Sequence, residues 1–176
     1  MAGGLRIGSV ELGVRPCVAV PFADRTTRAE VLALALRGLD VAELRIDHFT
    51  RFDPAHVLAQ LDVQLADPAG RGGRRFGAGG VVGAGQRRRH RVVVDEGDHL
   101  AVGVLATIRS AAEGGGWKGT EAERLALFRA LLPRADAVDV EIASEIAGDV
   151  VGMARAAGKL AIASFHDFEK TPGDAE

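Results

Sequence analysis

Charged and hydrogen-bonding side chains recur inside short apolar runs of this 176-residue chain. Side chains of these kinds can bind a charged ligand or exchange protons, and they can also pair with one another as a structural ion-pair network. The pattern alone leaves both interpretations open. The polar residues within or directly after these runs are Glu43, Arg45, Asp47, Thr107, Arg109, Asp139, Glu141, Ser164 and His166.

Strand alternation places these polar groups on one side of a sheet. In the run at 41–47, Ala42 and Leu44 share one face while Glu43 and Arg45 share the other. The polar sets lie toward the C-terminal end of each run, where parallel barrels and open α/β sheets place their active sites. Because both faces of a parallel sheet are normally covered, these charges need a cleft or a buried partner.

The elements that must position these groups alternate strictly between strand and helix. Helix starts are predicted from Thr27 with Glu30, from Asp53 with Pro54, and from Thr120 with Glu123. Five strand-then-helix steps predict a parallel sheet with helical crossovers, and the polar inner face favours a barrel. The predicted strands are 17–22, 41–47, 102–109, 137–142 and 160–166, and the predicted helices are 27–38, 53–64, 120–132 and 145–158, with a fifth helix opening at Thr171-Pro172.

Composition predicts one globular domain over residues 1–176, since 47% of the residues are hydrophobic. A net charge of −2 gives no global attraction to nucleic acid or acidic membranes. The single Cys17 cannot form an internal disulfide, and no apolar run has the length of a membrane span or the context of a signal peptide. A cytoplasmic protein without a membrane partner is the expectation.

Four motifs stand out along the chain. They are VAELRIDHF at 41–49, TIRSAAEGG at 107–115, VDVE at 138–141, and SFHDF at 164–168 followed by Thr171-Pro172. They occur in the order seen in the type I 3-dehydroquinate dehydratase family, which the chain resembles over nearly its whole length except about 66–99. The strand at 17–21 also resembles the family's first barrel strand.

The resemblance implies a (β/α)₈ TIM barrel that removes water from 3-dehydroquinate to give 3-dehydroshikimate in the shikimate pathway. It implies a lysine Schiff base on the substrate ketone, which acts as an electron sink, and neither metal nor diffusible cofactor. By resemblance, Glu43, Arg45 and Arg109 bind substrate and His166 is the general acid/base. Glu113 orients that histidine. Asp139 and Glu141 resemble supporting residues of the same site.

The family's Schiff-base lysine lies on the strand after the one that ends in His-Asp-Phe, and no matching strand is found in this sequence. Its lysines are Lys118, Lys159 and Lys170, none at the matching position. The expectation is therefore a C-terminally truncated, incomplete barrel of about five of eight βα units. Its open sheet edges predict a homo-oligomer or a complementary chain. The alternative is a catalytically inactive family remnant that binds a ligand, a partner or RNA.

An insertion rich in glycine and arginine is predicted at about 66–99. Between residues 71 and 91 it has seven arginines and no acidic residue. Such a segment could contact the phosphates of RNA. The interpretation preferred here is a low-complexity insertion at the N-terminal rim of the barrel, with nucleic acid not expected as a partner.

Overall fold

The computed structural model describes residues 4–65 and 102–170. The predicted insertion at 66–99 and the helix predicted to begin at Thr171 lie outside the described residues. Within them the chain builds an α/β fold whose order of elements follows the predicted alternation.

Five parallel strands form one sheet and lie side by side in chain order, after two short strands near the N-terminus. The predicted α/β class with a parallel sheet is confirmed, and the sheet does not close into a barrel within the described residues. The strands are β3 (Ala19–Phe22), β4 (Val41–Arg45), β5 (Gly103–Thr107), β6 (Ala137–Glu141) and β7 (Leu160–Ser164). The helices are α1 (Arg28–Leu36), α2 (Pro54–Leu65), α3 (Glu121–Leu131) and α4 (Ala147–Ala156).

Two helices begin with the reciprocal hydrogen bonds that the sequence predicts. Before α1, the Thr27 backbone N–H donates to Glu30 Oε2 over 2.8 Å and the Glu30 N–H donates to Thr27 Oγ1 over 3.3 Å. Thr120 and Glu123 make the same pair of bonds before α3. Such caps satisfy helix N–H groups that have no partner within the helix, so they fix where each helix begins.

The sheet buries its two faces differently. The side chains of Ala42, Leu44, Val104 and Val138 are at most 1% exposed and pack beneath the helices. On the other face, each central strand begins with an apolar or small residue and ends with polar ones. The main core therefore lies between the sheet and the helices. The opposite, inner face has a small apolar floor at the N-terminal ends of the strands and a polar rim at their carboxyl ends.

A short antiparallel hairpin covers this floor, and the sequence-based prediction missed it. Its strands are β1 (Arg6–Ile7) and β2 (Val10–Glu11). Ile7 and Val10 are buried in a cluster whose other members are Val41, Leu105 and Ala137. Gly103 allows this close approach, because a Cβ there would lie 2.6 Å from the Ile7 carbonyl oxygen.

The predicted strands extend too far at the carboxyl rim, and this is a correction. The strand predicted at 41–47 ends at Arg45 in the structure, and Ile46–His48 then form a turn of 3₁₀ helix. The strand predicted at 160–166 ends at Ser164 in the structure, so His166 lies two residues beyond β7. The reason is that backbone groups at the rim bond to side chains instead of to the neighbouring strand. The His166 backbone N–H, for example, donates to Glu113 Oε2 over 2.8 Å.

The outer strands β3 and β7 each have one strand neighbour within the described ranges. Large apolar side chains lie exposed beyond the carboxyl ends of β6 and β7, namely Ile142, Phe165 and Phe168, which are 64%, 54% and 76% exposed. None of the helices in residues 4–65 and 102–170 combines the length and the apolar character needed to cross a membrane.

Candidate active site

The polar side chains of neighbouring strands meet at the carboxyl rim of the sheet. The strand register aligns Arg45 on β4 with Thr107 on β5, and Thr107 with Asp139 on β6. These three positions alternate with core residues, so they share the inner face. The structure thus brings together the predicted rim of strands β4, β5 and β6.

His166 and Glu113 form a hydrogen-bonded pair across two loops. His166 Nδ1 lies 3.0 Å from Glu113 Oε2, and the side chains are 22% and 12% exposed. Glu113 closes a 3₁₀ turn, Ala111–Glu113, that Ser110 caps through its side-chain oxygen. A carboxylate at Nδ1 favours the imidazole tautomer protonated there, which leaves Nε2 to accept or return a proton.

The loop that carries Glu113 folds back on the end of β5. The Trp117 backbone N–H donates to the Arg109 carbonyl over 3.1 Å, and the Ala111 N–H donates to the Trp117 carbonyl over 3.1 Å. Gly115 lies so close to the Arg109 carbonyl that there is no room for a Cβ. This tight return places Glu113 within reach of His166.

Arg45 is held by a buried carboxylate. Its Nε and Nη2 donate to the two oxygens of Asp47 over 2.9 and 2.7 Å, and the Asp47 side chain is 0% exposed. The Gly116 N–H also donates to Asp47, over 3.0 Å. Burial by itself would raise the pKa of Asp47, but the hydrogen bonds from Arg45 and Gly116 outweigh it and the pKa is lowered. Asp47 therefore ties β4 to the Glu113 loop as an anion.

The inner face also holds groups without a protein partner. Arg109 Nε and Thr107 Oγ1 are buried and have no hydrogen bond among the described residues. Beside them, Ser164 Oγ donates to Asp139 Oδ1 over 2.6 Å. Burial raises the pKa of Asp139; the Glu43 charge adds to this, while the Ser164 hydrogen bond and Arg109 oppose it. A buried donor without a partner is suited to receive a ligand oxygen.

Glu141 points to a different network from the other predicted residues. Its Oε2 accepts a 2.8 Å hydrogen bond from Arg124 Nη1, and its Oε1 accepts one from the Ser110 backbone N–H over 2.6 Å. The sequence-based reasoning missed Arg124, whose side chain is 0% exposed. The only signal for it was an arginine in the apolar pattern of α3, which resembles an ordinary surface arginine.

The three lysines do not join the rim cluster. Lys159 Nζ donates to the Ala135 carbonyl over 2.6 Å, at the N-terminal side of the sheet. Lys118 and Lys170 are exposed on loops. The backbone N–H groups of Glu169 and Lys170 donate to Asp167 Oδ1 in a turn that follows His166.

Successive βα units whose parallel strands lie side by side in chain order, with polar side chains at the carboxyl ends of the strands, are the arrangement of a β/α barrel. Solved structures agree with this arrangement. A type I 3-dehydroquinate dehydratase from Clostridium difficile, carrying covalently modified comenic acid, matches 98% of this chain and 60% of its own with a TM-score of 0.67 and 21% identity. The 3-dehydroquinate dehydratase of Aquifex aeolicus matches 90% of this chain and 56% of its own with a TM-score of 0.63 and 24% identity.

Sequence comparison leads to the same relatives. The family model for type I 3-dehydroquinase matches residues 91–176. A 3-dehydroquinate dehydratase of Methanosarcina acetivorans is 47% identical over 78 residues, which are 42% of this chain and 32% of that protein. One from Methanococcoides burtonii is 26% identical over 173 residues, which are 96% of this chain and 59% of that protein. The chain is similar to type I 3-dehydroquinases, and it spans about a third to three fifths of the length of these curated relatives.

Proposed function

We propose that this chain contributes the substrate-binding and proton-transferring part of a 3-dehydroquinate dehydratase site, a hydro-lyase that converts 3-dehydroquinate to 3-dehydroshikimate and water. The observation that carries the proposal is the His166–Glu113 pair, 3.0 Å apart, on the rim that also holds a buried Arg109 Nε without a hydrogen-bond partner among the described residues. The choice of 3-dehydroquinate as the substrate comes from the family that the sequence comparison names.

Each group of the site has a task that its geometry suits. The substrate carries a carboxylate, hydroxyls and a ketone. Arg109 is assigned to the carboxylate, because a guanidinium can offer it two parallel hydrogen bonds. Arg45 and Glu43 are assigned to the hydroxyls. Asp47 keeps Arg45 in place through the bidentate contact described above.

His166 is assigned both proton transfers of the elimination. With Nδ1 held by Glu113, Nε2 accepts the proton from the carbon beside the ketone, and the electron pair of that C–H bond forms the new double bond. The hydroxide leaving the next carbon takes the proton back from Nε2 and departs as water. The covalent lysine step implied by the family resemblance is not assigned to Lys118, Lys159 or Lys170.

Titration of the full chain with 3-dehydroquinate, followed by calorimetry, tests the binding assignment. Arg109→Ala is expected to weaken binding by about tenfold or more, the effect of losing a charge-assisted contact. Arg134→Gln is the matched control, since Arg134 forms an ion pair with Asp62 in which both side chains are 50% exposed. Equal affinity in wild type and Arg109→Ala would contradict the assignment.

Product formation is followed by the ultraviolet absorbance of the conjugated enone, with His166→Asn as the test variant. If His166 moves the protons, this variant binds 3-dehydroquinate but gives no more product than buffer. Borohydride trapping followed by mass measurement tests the covalent step separately. An unmodified mass excludes Schiff-base catalysis by this chain alone while leaving the binding assignment intact.

The second candidate is a family member that binds a ligand without turnover, with a partner chain along the exposed apolar end of β7. The position of the lysines favours it, because Lys159 is bonded to Ala135 and the other two are exposed. Measurable affinity with no product from wild type would select this candidate. A homo-oligomer or complementary chain and a cytoplasmic location belong to both proposals, and RNA binding by the 66–99 segment belongs only to the second.

A further inference from the structure

A fully buried ion pair lies behind the rim, outside the set of residues assigned to the ligand. The side chains of Arg124 and Glu141 are 0% and 4% exposed, and their closest atoms are 2.8 Å apart. Arg124 also donates to Glu121 over 2.9 Å and to Ser144 Oγ over 2.6 Å. Burying two charges costs several kcal/mol per ion, so such a pair is weak evidence for stability alone. Its contacts indicate another role.

The pair contacts the backbone on both sides of Arg109. Arg124 Nη1 donates to the Ile108 carbonyl over 3.2 Å, and the Ser110 N–H donates to Glu141 Oε1 over 2.6 Å. The ladder between β5 and β6 ends at Thr107 and Asp139, before this point. The side chains of Arg124 and Glu141 thus take over where the strand hydrogen bonds stop.

The Arg109 side chain has little else to fix it. Its Nε is buried and has no hydrogen-bond partner among residues 4–65 and 102–170. The direction of the guanidinium therefore depends on the backbone from which it projects. A turn of about 10° at the Cα displaces a group roughly 6 Å away by about 1 Å, a misplacement that can cost about a hundredfold in rate at an active site.

We propose that Arg124 and Glu141 are a positioning pair that orients Arg109 toward the carboxylate of the ligand. Neither residue touches the ligand; both act through the peptide groups of Ile108 and Ser110. The inference rests on the proposed function, because it takes the Arg109 guanidinium as the group that meets the substrate carboxylate.

A double-mutant cycle on the full chain tests the coupling, with 3-dehydroquinate as the titrant. The variants are Glu141→Gln, Arg109→Ala and the two combined. Glu141→Gln keeps the volume and an oxygen for Ser110 but removes the charge that holds Arg124. We expect it to weaken binding about five- to tenfold in the wild-type background, and not at all in the Arg109→Ala background. Independent losses that multiply in the double variant would overturn the proposal.

The control is Ser144→Ala, which removes a partner from Arg124 on the side away from Ile108. It is expected to lower stability and leave affinity unchanged. An affinity loss equal to that of Glu141→Gln would show that general destabilisation suffices and would overturn the proposal. If Glu141→Gln does not fold, Arg124→Lys replaces it in the cycle, since it keeps the charge beside Glu141 but cannot reproduce the forked contacts.

A readout without ligand separates this inference from the proposed function. The Nε–H resonance of Arg109, assigned by its loss in Arg109→Ala, is expected to shift or broaden in Glu141→Gln while the ring resonances of His166 stay in place. An unchanged Arg109 resonance overturns the positioning role, whatever the ligand data show. Equal binding by wild type and Arg109→Ala would instead refute the proposed function. The Arg109 resonance would still decide whether Glu141 orients that side chain.

Discussion

Replacing Asp47 by asparagine tests the link between β4 and the Glu113 loop. The buried carboxylate accepts hydrogen bonds on both oxygens, from Arg45 Nε and Nη2 and from the Gly116 backbone N–H. Asparagine has the same size but only one acceptor oxygen. Its amide NH₂ must therefore face a donor, either Arg45 Nε or the two donors that share Asp47 Oδ2.

The expected cost follows from those three bonds. A hydrogen bond to a charged group contributes about 1.5–3 kcal/mol, so losing at least one and leaving Arg45 without a counter-charge predicts a loss of about 2–4 kcal/mol at pH 7. The Arg45 side chain is 16% exposed, so water can relieve part of the cost. The matched control is Asp53→Asn before α2, where asparagine caps about as well as aspartate and a change under about 0.5 kcal/mol is expected.

Urea unfolding followed by far-ultraviolet circular dichroism, at several pH values, gives the measurement. Because the pKa of Asp47 is lowered in the fold, its charged form adds stability above its ordinary pKa, and that stability is lost as the pH falls through the folded-state pKa. The gap between wild type and Asp47→Asn should thus narrow below about pH 4. A gap below about 1 kcal/mol at pH 7, or one that is the same at every pH, would refute this account of Asp47.

Two further predictions concern the inner face and the loops. Burial raises the pKa of Asp139, so its ionisation opposes folding at neutral pH; Asp139→Asn should raise the unfolding midpoint at pH 7, with the gain disappearing below about pH 4. A thermal melt at the two pH values checks this, and a lower midpoint at pH 7 would contradict it. Gly115→Ala should destabilise by about 1–3 kcal/mol or more, because the added methyl meets the Arg109 carbonyl, whereas Gly152→Ala in α4, with open space around it, should stabilise by about 0.5–1 kcal/mol. Equal urea midpoints for these two alanine variants would contradict the close packing of the loop.

The order of the elements could be predicted because local signals agree with the fold. Thr27 with Glu30 and Thr120 with Glu123 mark helix starts at the positions where the structure has them. Apolar runs separated by capped amphipathic segments leave few topologies other than a parallel sheet. Hydrophobic periodicity and helix capping depend on residues close together in the sequence, so a single sequence is enough to predict these elements.

The ends of the strands could not be predicted, because their limits depend on contacts between residues distant in sequence. Nothing near His166 in the chain indicates that its backbone N–H bonds to Glu113, which lies 53 residues earlier. Arg124 presents the same difficulty. An arginine in a helix is usually solvated, and its burial follows only from the position of Glu141 on β6.

The roles of Glu43, Arg45, Arg109, Glu113, Asp139, Glu141 and His166 stay predictions, although the structure brings most of them to one rim. The alternation of polar and apolar residues could indicate the shared face, but not which carboxylate binds an arginine of the core and which one faces the interior. Glu141 and Asp139 are two residues apart on β6, yet one is 3% exposed in an ion pair and the other bonds Ser164. The difference between the two carboxylates therefore comes from their tertiary partners and not from their positions on the strand.

The N-terminal hairpin caps the inner face of the sheet at the end opposite the carboxyl rim. Ile7 and Val10 close the end opposite the rim against Val41, Leu105 and Ala137, and Gly103 brings the hairpin into backbone contact with β5. A molecule held beside Arg109 therefore meets an apolar wall on its N-terminal side and solvent on the side of the rim. A bulkier residue at position 103 would displace the hairpin and remove that wall.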